Sequence, residues 1–333
     1  TVAESIQSAL AQTWQRKEII VINDGSTDRT SEIARSFVPE VTFVSTENHG
    51  AAAARNHALR LSHGDFIQWL DANDLLTPDK IERQLAALQD AGSRRILLSS
   101  PWAHFYYRTR PARFVSNSLC QSLSPAEWLL RKMGENLHMQ TATWLVSREL
   151  TEAAGSWDTR LFSDDDGEYF CRVLLASEGT QFVPEVGVFY RSAPTSRLSH
   201  IGTSDRKKDA LLISMKLHIQ YLRSLEDSDR VRKACLAYLQ NWYGVFYPER
   251  KDLSAELQKL AGELHGRLEE PSLRSKFAWL KPVIGLKRAQ RVQTELPQFK
   301  AACIRQWDKL IHNWELRHAP RVTQQVRESS EGK

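Results

Sequence analysis

A chain of 333 residues is long enough for one large domain or two ordinary ones. Its apolar content of 41% and charged content of 26% are typical of a globular protein and argue against a disordered or fibrous chain. The net charge of +5 is unevenly distributed: residues 1–200 carry 20 Lys and Arg against 24 Asp and Glu, whereas residues 201–333 carry 25 against 16. An acidic front and a basic back predict two domains with different roles, at 1–200 and 201–333.

Short apolar runs alternate with helical patterns over the first hundred residues. Strands are predicted at 19–22, 41–45, 66–70 and 96–100, and helices at 6–14, 28–37, 50–61 and 77–90. This alternation with short connections predicts an α/β fold, a doubly wound and mainly parallel sheet flanked by helices. Because such a domain seldom opens on a helix, we expect a first β-strand to be missing before Thr1.

The pattern is less regular after residue 100. A helix is predicted after Pro125, a strand at 141–146, a helix at 164–177 and one or two strands within 182–191. Beyond about residue 204 the pattern is helical throughout, which predicts an α-helical C-terminal region.

Cysteine usage and hydropathy predict a cytoplasmic protein. The four cysteines are widely spaced and form no CxxC pair, which fits reduced thiols and gives no sign of a zinc site. The sequence has no apolar run of the length that spans a bilayer and no signal-peptide pattern at its start.

Three of the predicted strands end in polar segments with little bulk: NDGSTD (23–28), TENHG (46–50) and DAND (71–74). In a parallel sheet the carboxyl ends of the strands open on one edge, where ligands bind. Turns that merely stop a strand are the alternative. All three segments together favour a binding site at this edge.

Four segments resemble, in order and spacing, the pattern of glycosyltransferase family 2, whose domain has the GT-A fold. They are IIVINDGSTDRT, ENHGAAAARNHAL, GDFIQWLDANDLLTPDKIERQ and DDDGEYFCRVL, and the resemblance covers roughly residues 4–195. It implies an inverting hexosyltransferase that uses a nucleotide-sugar, with UDP as the commonest nucleotide. It also implies a saccharide or lipid-linked acceptor, as in the synthesis of cell-envelope polysaccharides.

The resemblance implies which residues bind the donor. Asp24 corresponds to the family's acid that contacts the nucleotide base, and Asn23 replaces the acid before it, which fits a role in turn geometry. Gly25 lets the chain turn beside a flat base. Arg55 follows small residues near the start of a helix, where it can meet the base or the diphosphate. Asn48, Asp71 and Ala72 complete the predicted donor-binding set.

Asp71 and Asn73 resemble the family's Asp-x-Asp metal motif with its second acid replaced by an amide. A departing diphosphate concentrates negative charge, which a bound Mg²⁺ or Mn²⁺ offsets. An amide carbonyl offers the cation an oxygen but no charge, so we expect weaker metal affinity, with Asp74 taking over part of the role. A helix-capping turn is the alternative. His200 is a further candidate ligand, with an ordinary loop histidine as its alternative.

The acceptor hydroxyl needs a base, and the late acidic segment supplies candidates. Asp166 lies six residues before Arg172, as in the family's acid-and-Arg motif, so Asp166 is the predicted base and Asp165 its neighbour. Mutual repulsion among adjacent acids can raise the pKa of one of them. An acidic helix cap is the alternative. Trp157, Asp158 and Arg172 resemble the acceptor side, with Trp157 suited to stacking on a sugar.

The basic C-terminal region contains a stretch, residues 271–294, with six Lys and Arg and no acid among apolar and aromatic residues. This composition predicts attachment to an anionic membrane surface, with a solvated helix face as the alternative. No nucleic-acid motif is present, so we expect no nucleic-acid partner.

Two other functions stay open from the sequence. A sugar-phosphate nucleotidyltransferase also uses a doubly wound sheet and Mg²⁺, but it needs a Gly-rich phosphate loop that the sequence does not contain. The other alternative is a catalytically degenerate relative that binds nucleotide-sugars, in which Asn23 and Asn73 mark lost catalysis.

Overall fold

The structure, a computed structural model, describes residues 1–192, 204–271, 273 and 275–318. Over the first third of the chain, helices and strands follow each other as α1 (Val2–Leu10), β1 (Ile20–Asp24), α2 (Thr30–Arg35), β2 (Thr42–Thr46), α3 (Ala51–Leu61), β3 (Phe66–Ile67), β4 (Leu75–Leu76), α4 (Lys80–Ala91), β5 (Ile96–Ser99) and β6 (Trp102–Phe105). The middle third holds α5 (Pro125–Gly134), a 3₁₀ turn (Thr141–Thr143), β7 (Val146–Ser147), α6 (Arg148–Ala154), α7 (Asp165–Ala176), β8 (Gly179–Phe182) and β9 (Val188–Arg191). Helices alone follow: α8 (Asp205–Leu225), α9 (Asp229–Phe246), α10 (Lys251–Glu263), α11 (Ser275–Ala278), α12 (Lys281–Ile284) and α13 (Leu286–His318).

The strands form a mixed sheet system. β1 pairs with β2 and β5 with β8 in parallel, whereas β3 pairs with β7 and β4 with β9 in antiparallel. The α/β class with a helical C-terminal region, predicted from the alternation of apolar runs, is therefore confirmed.

Two predicted strands differ from the structure. The run 66–70 pairs only at Phe66–Ile67, and the segment 141–146 forms a 3₁₀ turn followed by the two-residue strand β7. In both segments buried aromatic side chains, Trp69 and Trp144, produce the apolar pattern of a covered strand without ladder pairing. Apolar runs of this length indicate burial more reliably than they indicate a strand.

A cavity of about 1010 Å³ lies between β1 and β3 and is lined by both strands and by α1, α3 and α4. In the described part of the chain neither strand has a partner on the edge that faces this cavity. Ile20, Val21 and Ile22 remain partly exposed, although their sequence is that of a strand covered on both faces. The first β-strand expected from the sequence stays a prediction.

The chain folds into two compact units: residues 1–104 with 113–271, and residues 105–112 with those from 272 on. In the first unit α8 packs on α7 and α9 packs on α5, so these helices share the main hydrophobic core with the α/β elements. In the second unit, Arg108 of the segment 105–112 is joined to α13 by ion pairs. The domain boundary at residue 200 stays a prediction.

No helix in the described ranges is both long enough and apolar enough to cross a bilayer.

Candidate active site

The end of β1 is tied to the loop before α3. Asp24 Oδ1 accepts a hydrogen bond from the backbone N–H of His49 at 2.8 Å, and Oδ2 accepts one from Gly50 at 2.9 Å. Gly25 has a φ of +69°, and a Cβ there would lie 2.7 Å from the nitrogen of Asn48. Only glycine fits this approach. The structure thus brings Asp24, Gly25 and Asn48 together, as predicted for the donor edge.

Asn23 is buried and is used within the fold. Its Nδ2 donates to Ser45 Oγ at 2.8 Å, and its Oδ1 accepts from the N–H of Ser26 at 3.3 Å. The turn role foreseen for an amide at this position accounts for both atoms. The structure therefore does not support Asn23 as a direct contact of the donor.

Arg55 joins the end of the β3 segment to the start of α7. Its Nη2 donates to Asp71 Oδ1 at 2.9 Å and its Nη1 donates to Asp165 Oδ2 at 2.7 Å. The guanidinium carbon lies 4.5 Å from the ring centre of Trp157, and the side chain is only 16% exposed. Burial alone lowers the pKa of Arg55, but the neighbouring carboxylates of Asp71 and Asp165 outweigh it and raise that pKa. The guanidinium is therefore a fixed positive charge between two predicted site segments that are far apart in sequence.

Asp165 and Asp166 stand at the first turn of α7 in different environments. Burial raises the pKa of Asp165 to about 6, Arg55 works against that rise, and the charges of Asp166 and Asp71 add to it. Asp166 Oδ2 accepts from Thr141 Oγ1 at 2.8 Å, and its Oδ1 accepts from the N–H of Gly167 at 2.9 Å. The raised pKa thus belongs to Asp165, while the carboxylate of Asp166, the predicted base, accepts two hydrogen bonds.

The raised pKa of Asp165 makes a prediction about stability. Since the carboxyl shifts from 3.8 to about 6 on folding, its charge opposes folding at neutral pH. This opposition disappears as the pH falls through 6 towards 4, because the folded state then takes up the proton first. We expect Asp165→Asn to raise the free energy of unfolding by about 3 kcal/mol at pH 8 and to leave it nearly unchanged near pH 4. Urea denaturation across this pH range measures the difference.

Asp158→Asn is the matched control for that measurement. Hydrogen bonds from Arg160 lower the pKa of Asp158, so its charge favours folding at neutral pH. This variant should lose stability at pH 8 and recover towards the wild-type value in acid, which is the opposite slope. A pH-independent effect of Asp165→Asn would contradict the assignment of a raised pKa.

The three predicted metal ligands, Asp71, Asn73 and Asp74, have different surroundings. The Asp71 side chain is 39% exposed, and the partly exposed Asn73 engages Arg191 Nε through its backbone oxygen rather than its amide. Asp74 is fully buried, with Oδ1 accepting from the N–H of Arg191 and Oδ2 from Gln140 Nε2. Asp71 and Asn73 therefore fit a cation that substrate phosphates also coordinate. The structure corrects the role given to Asp74, whose carboxylate holds the fold together.

Among the described residues no group of three or more His, Cys, Asp and Glu side chains is arranged to hold a metal. A cation at Asp71 and Asn73 would consequently depend on oxygens from a bound substrate. His200 lies outside the described residues.

Trp157 is 2% exposed and belongs to the core. Its ring stacks on Tyr169 at 4.0 Å between centroids, and its backbone N–H and C=O both bond the Asn56 side chain, at 2.8 and 2.9 Å. The prediction that Trp157 stacks on a sugar is therefore not supported. The ring instead forms the floor beneath the guanidinium of Arg55.

Asp158 and Arg172, predicted on the acceptor side, have structural partners. Asp158 forms an ion pair with Arg160 at 2.6 Å. Arg172 binds both carboxylate oxygens of the buried Glu168, at 2.7 and 2.8 Å, and donates to the carbonyl of Ala154. Arg172 thus fixes α7 to the end of α6. The structure brings neither residue to Asp71 or Asp166.

Sequence reasoning missed three residues that position the site. Thr141 orients Asp166, Gln140 holds Asp74, and Arg191 bonds the backbone oxygen of Asn73 at 2.9 Å. Only Arg191 carried a signal, as the end of an apolar strand. Thr141 begins the segment mistaken for a strand and Gln140 directly precedes it, so their side chains gave no signal.

The fold places the chain among GT-A-type proteins. It superposes on S. aureus TarS in complex with UDP-GlcNAc with a TM-score of 0.61 at 14% identity, covering 79% of this chain and 77% of that chain. It superposes on S. aureus TarS in complex with UDP with a TM-score of 0.56 at 15% identity, covering 79% and 82%. The predicted GT-A fold is confirmed.

The sequence is also similar to those of known glycosyltransferases. Residues 1–127 match the profile described as "Glycosyl transferase family 2". An uncharacterized glycosyltransferase of Rickettsia typhi is 31% identical over 181 residues, which are 52% of this chain and 54% of that protein. The succinoglycan biosynthesis protein ExoU of Rhizobium meliloti is 39% identical over 90 residues, 26% of each chain. Residues 1–127 are thus similar to glycosyltransferase family 2 domains, and the chain spans about half the length of the Rickettsia typhi protein it matches.

Proposed function

We propose that this chain is an inverting hexosyltransferase that moves a sugar from a nucleoside diphosphate sugar to a hydroxyl group of a saccharide or lipid-linked glycan. The observation that carries the proposal is the bridge made by Arg55 between Asp71 and Asp165. It brings the predicted donor-binding segment next to the segment that contains the predicted base. Donor and acceptor can therefore meet at one place.

Asp166 is the proposed base. Its carboxylate is aimed by Thr141, and proton removal from the acceptor hydroxyl lets that oxygen attack the anomeric carbon as the diphosphate leaves. Such a single displacement inverts the configuration at the anomeric carbon. Arg55 supplies fixed positive charge beside Asp71 throughout.

A divalent cation is part of the proposal. Asp71 and Asn73 would hold Mg²⁺ or Mn²⁺ together with the diphosphate, and the bound cation would stabilise the charge on the leaving group. Among possible donors we propose a UDP-sugar, supported by the complexes of the structurally similar TarS with UDP and UDP-GlcNAc. ExoU, named for succinoglycan biosynthesis, supports a cell-envelope polysaccharide as the pathway product, and hence work at the inner face of the plasma membrane.

The test is a binding panel of nucleotide-sugars with and without Mn²⁺, on the wild type, Asp71→Ala and Asn73→Asp. We expect Mn²⁺ to strengthen donor binding in the wild type. It should have no effect in Asp71→Ala, because Asp71 is the only carboxylate among the two proposed metal ligands, Asp71 and Asn73. Asn73→Asp restores a second charge, so we expect about tenfold tighter Mn²⁺ binding, as each additional carboxylate strengthens a hard-cation site. Isothermal titration measures both affinities.

The alternatives give different results in the same panel. Suppose that Mn²⁺ does not change the donor affinity of the wild type or of Asn73→Asp, and that neither protein hydrolyses the donor. This result would indicate a binding protein without catalysis. Release of pyrophosphate from a sugar phosphate and a nucleoside triphosphate would indicate a nucleotidyltransferase.

A further inference from the structure

One face of α13 is a continuous apolar stripe that faces solvent. Its members recur at helical spacing, and side chains such as those of Trp307 and Leu310 are 67% and 62% exposed. We name this set the α13 stripe: Leu296, Phe299, Cys303, Trp307, Leu310 and Trp314. At 100° per residue these positions fall within an arc of roughly 80°, and they run about 27 Å along the helix.

The opposite face of α13 is already occupied. Asp308 accepts hydrogen bonds from Arg108 Nε at 2.8 Å and from the N–H of Tyr107 at 2.9 Å. Glu315 accepts from Arg108 Nη1 at 3.0 Å, and His312 stacks on Tyr107. The segment 105–112, which belongs to the same unit, therefore fixes which side of the helix points away.

The spacing of the stripe decides between a helical partner and a flat surface. From Leu296 to Trp314 the stripe takes five steps over 18 residues, which matches the 3.6-residue turn of a straight helix. A coiled coil with a second copy needs apolar residues in a strict heptad instead. In the heptad that contains Leu296, Cys303, Trp307, Leu310 and Trp314, the two remaining inward positions are Lys300 and Arg317. A coiled-coil seam would bury both cations and leave Phe299 outside it, so the stripe is better suited to a plane.

Charge indicates the chemistry of that plane. Of the Lys and Arg of α13, Lys300 and Arg317 lie at the edges of the stripe, and two of the three acids of the helix, Asp308 and Glu315, are paired with Arg108. The long side chains at the edges can reach past buried apolar groups to charged headgroups. Phe299, Trp307 and Trp314 are aromatic residues of the kind that settle at the level of lipid headgroups.

We propose that the α13 stripe docks this chain flat on the surface of a bilayer that contains anionic phospholipid. Apolar side chains enter the headgroup boundary while the flanking cations meet the negative surface. The inference does not depend on sugar transfer, and it assigns membrane contact to residues 296–314 rather than to the stretch 271–294 identified by composition.

The experiment is co-sedimentation of the full chain with vesicles of phosphatidylcholine alone and of phosphatidylcholine with 30% phosphatidylglycerol. We expect binding to the anionic vesicles only, weakened by high salt because screening removes the electrostatic part. Leu310→Gln should weaken binding about tenfold, and Trp307→Gln with Trp314→Gln should weaken it further. Leu316→Gln is the matched control: Leu316 is the same residue type on the same helix, is 66% exposed and lies off the stripe, so binding should change less than twofold.

A fluorophore on Cys303 gives a second readout. This exposed cysteine belongs to the stripe, whereas Cys171 and Cys235 are buried, so Cys120→Ser makes labelling selective. We expect a blue shift of the emission on anionic vesicles. Equal effects of Leu310→Gln and Leu316→Gln, or no vesicle binding by the wild type, would overturn the proposal. A dimer in light scattering that Leu310→Gln converts to a monomer, without lipid binding, would also overturn it and assign the stripe to a second copy.

Discussion

Replacing Asp166 by Asn is expected to reduce turnover by roughly 10²–10⁴-fold, the range lost when a general base is removed. Asn keeps the size of the side chain and can still accept from Thr141 Oγ1, so the segment at the start of α7 should keep its geometry. Donor affinity should be unchanged, because the substitution touches the proton acceptor and leaves Asp71 and Arg55 in place. The measurement is release of nucleoside diphosphate from the donor that the binding panel identifies.

Thr141 provides a graded companion to that variant. Thr141→Val removes the hydroxyl that donates to Asp166 and keeps the branched shape of the side chain. We expect about a tenfold lower kcat with an unchanged KM for the donor, because the carboxylate is still present but is no longer held in position. Thr141→Ser keeps the hydroxyl and should restore most of the rate. Near wild-type turnover in Asp166→Asn would remove Asp166 from the mechanism. A parallel loss of donor binding would assign this carboxylate to the donor instead.

The sequence predicted those parts of the fold that depend on local pattern. The run IIVI became β1, the Ala-rich segment became α3, and the acidic start of the helix at 164–177 became the first turn of α7. Each has a periodicity and a boundary signal within a few residues. These are the features that local physics determines.

The orientation of individual side chains was beyond sequence reasoning because distant contacts determine it. Asp71 and Asp74 are three residues apart and carry the same carboxylate. Only Asp74 is buried, because its oxygens accept hydrogen bonds from Gln140 and Arg191. Trp157 has the chemistry of a sugar platform, but Tyr169, twelve residues on, covers its ring. In each case a partner remote in the chain decides whether a suitable residue faces the ligand or the core.

Arg55 was recognised from the sequence as a ligand contact, whereas the structure gives it a further role as the link between two acidic segments. Replacing it by Met is expected to lower the free energy of unfolding by about 3 kcal/mol at pH 7.5, because Asp165 is then buried without its counter-charge. Asp71 adds less to this loss, since its exposed carboxylate regains water. Met also keeps contact with the ring of Trp157, so the loss reports mainly on charge.

The pH dependence identifies the cause of that destabilisation. Without the guanidinium the pKa of Asp165 should rise beyond about 6, its value in the wild type, so protonation can neutralise the buried group. The stability difference between Arg55→Met and the wild type should therefore shrink as the pH falls below 6. Combining Arg55→Met with Asp165→Asn should recover most of the lost stability at pH 7.5, because the unpaired charge is removed.

Urea denaturation at pH 5 and pH 7.5 measures these differences, and Arg29→Met is the matched control. Arg29 also pairs with an acid, Glu32, but both side chains are largely exposed, so stability should change little at either pH. Arg55→Lys separates charge from shape: a lysine cannot reach both carboxylates with a planar fork while stacking on Trp157, so it should recover only part of the loss. A destabilisation by Arg55→Met that persists in the double variant would show that packing against Trp157, rather than the bridge between Asp71 and Asp165, is what Arg55 contributes to stability.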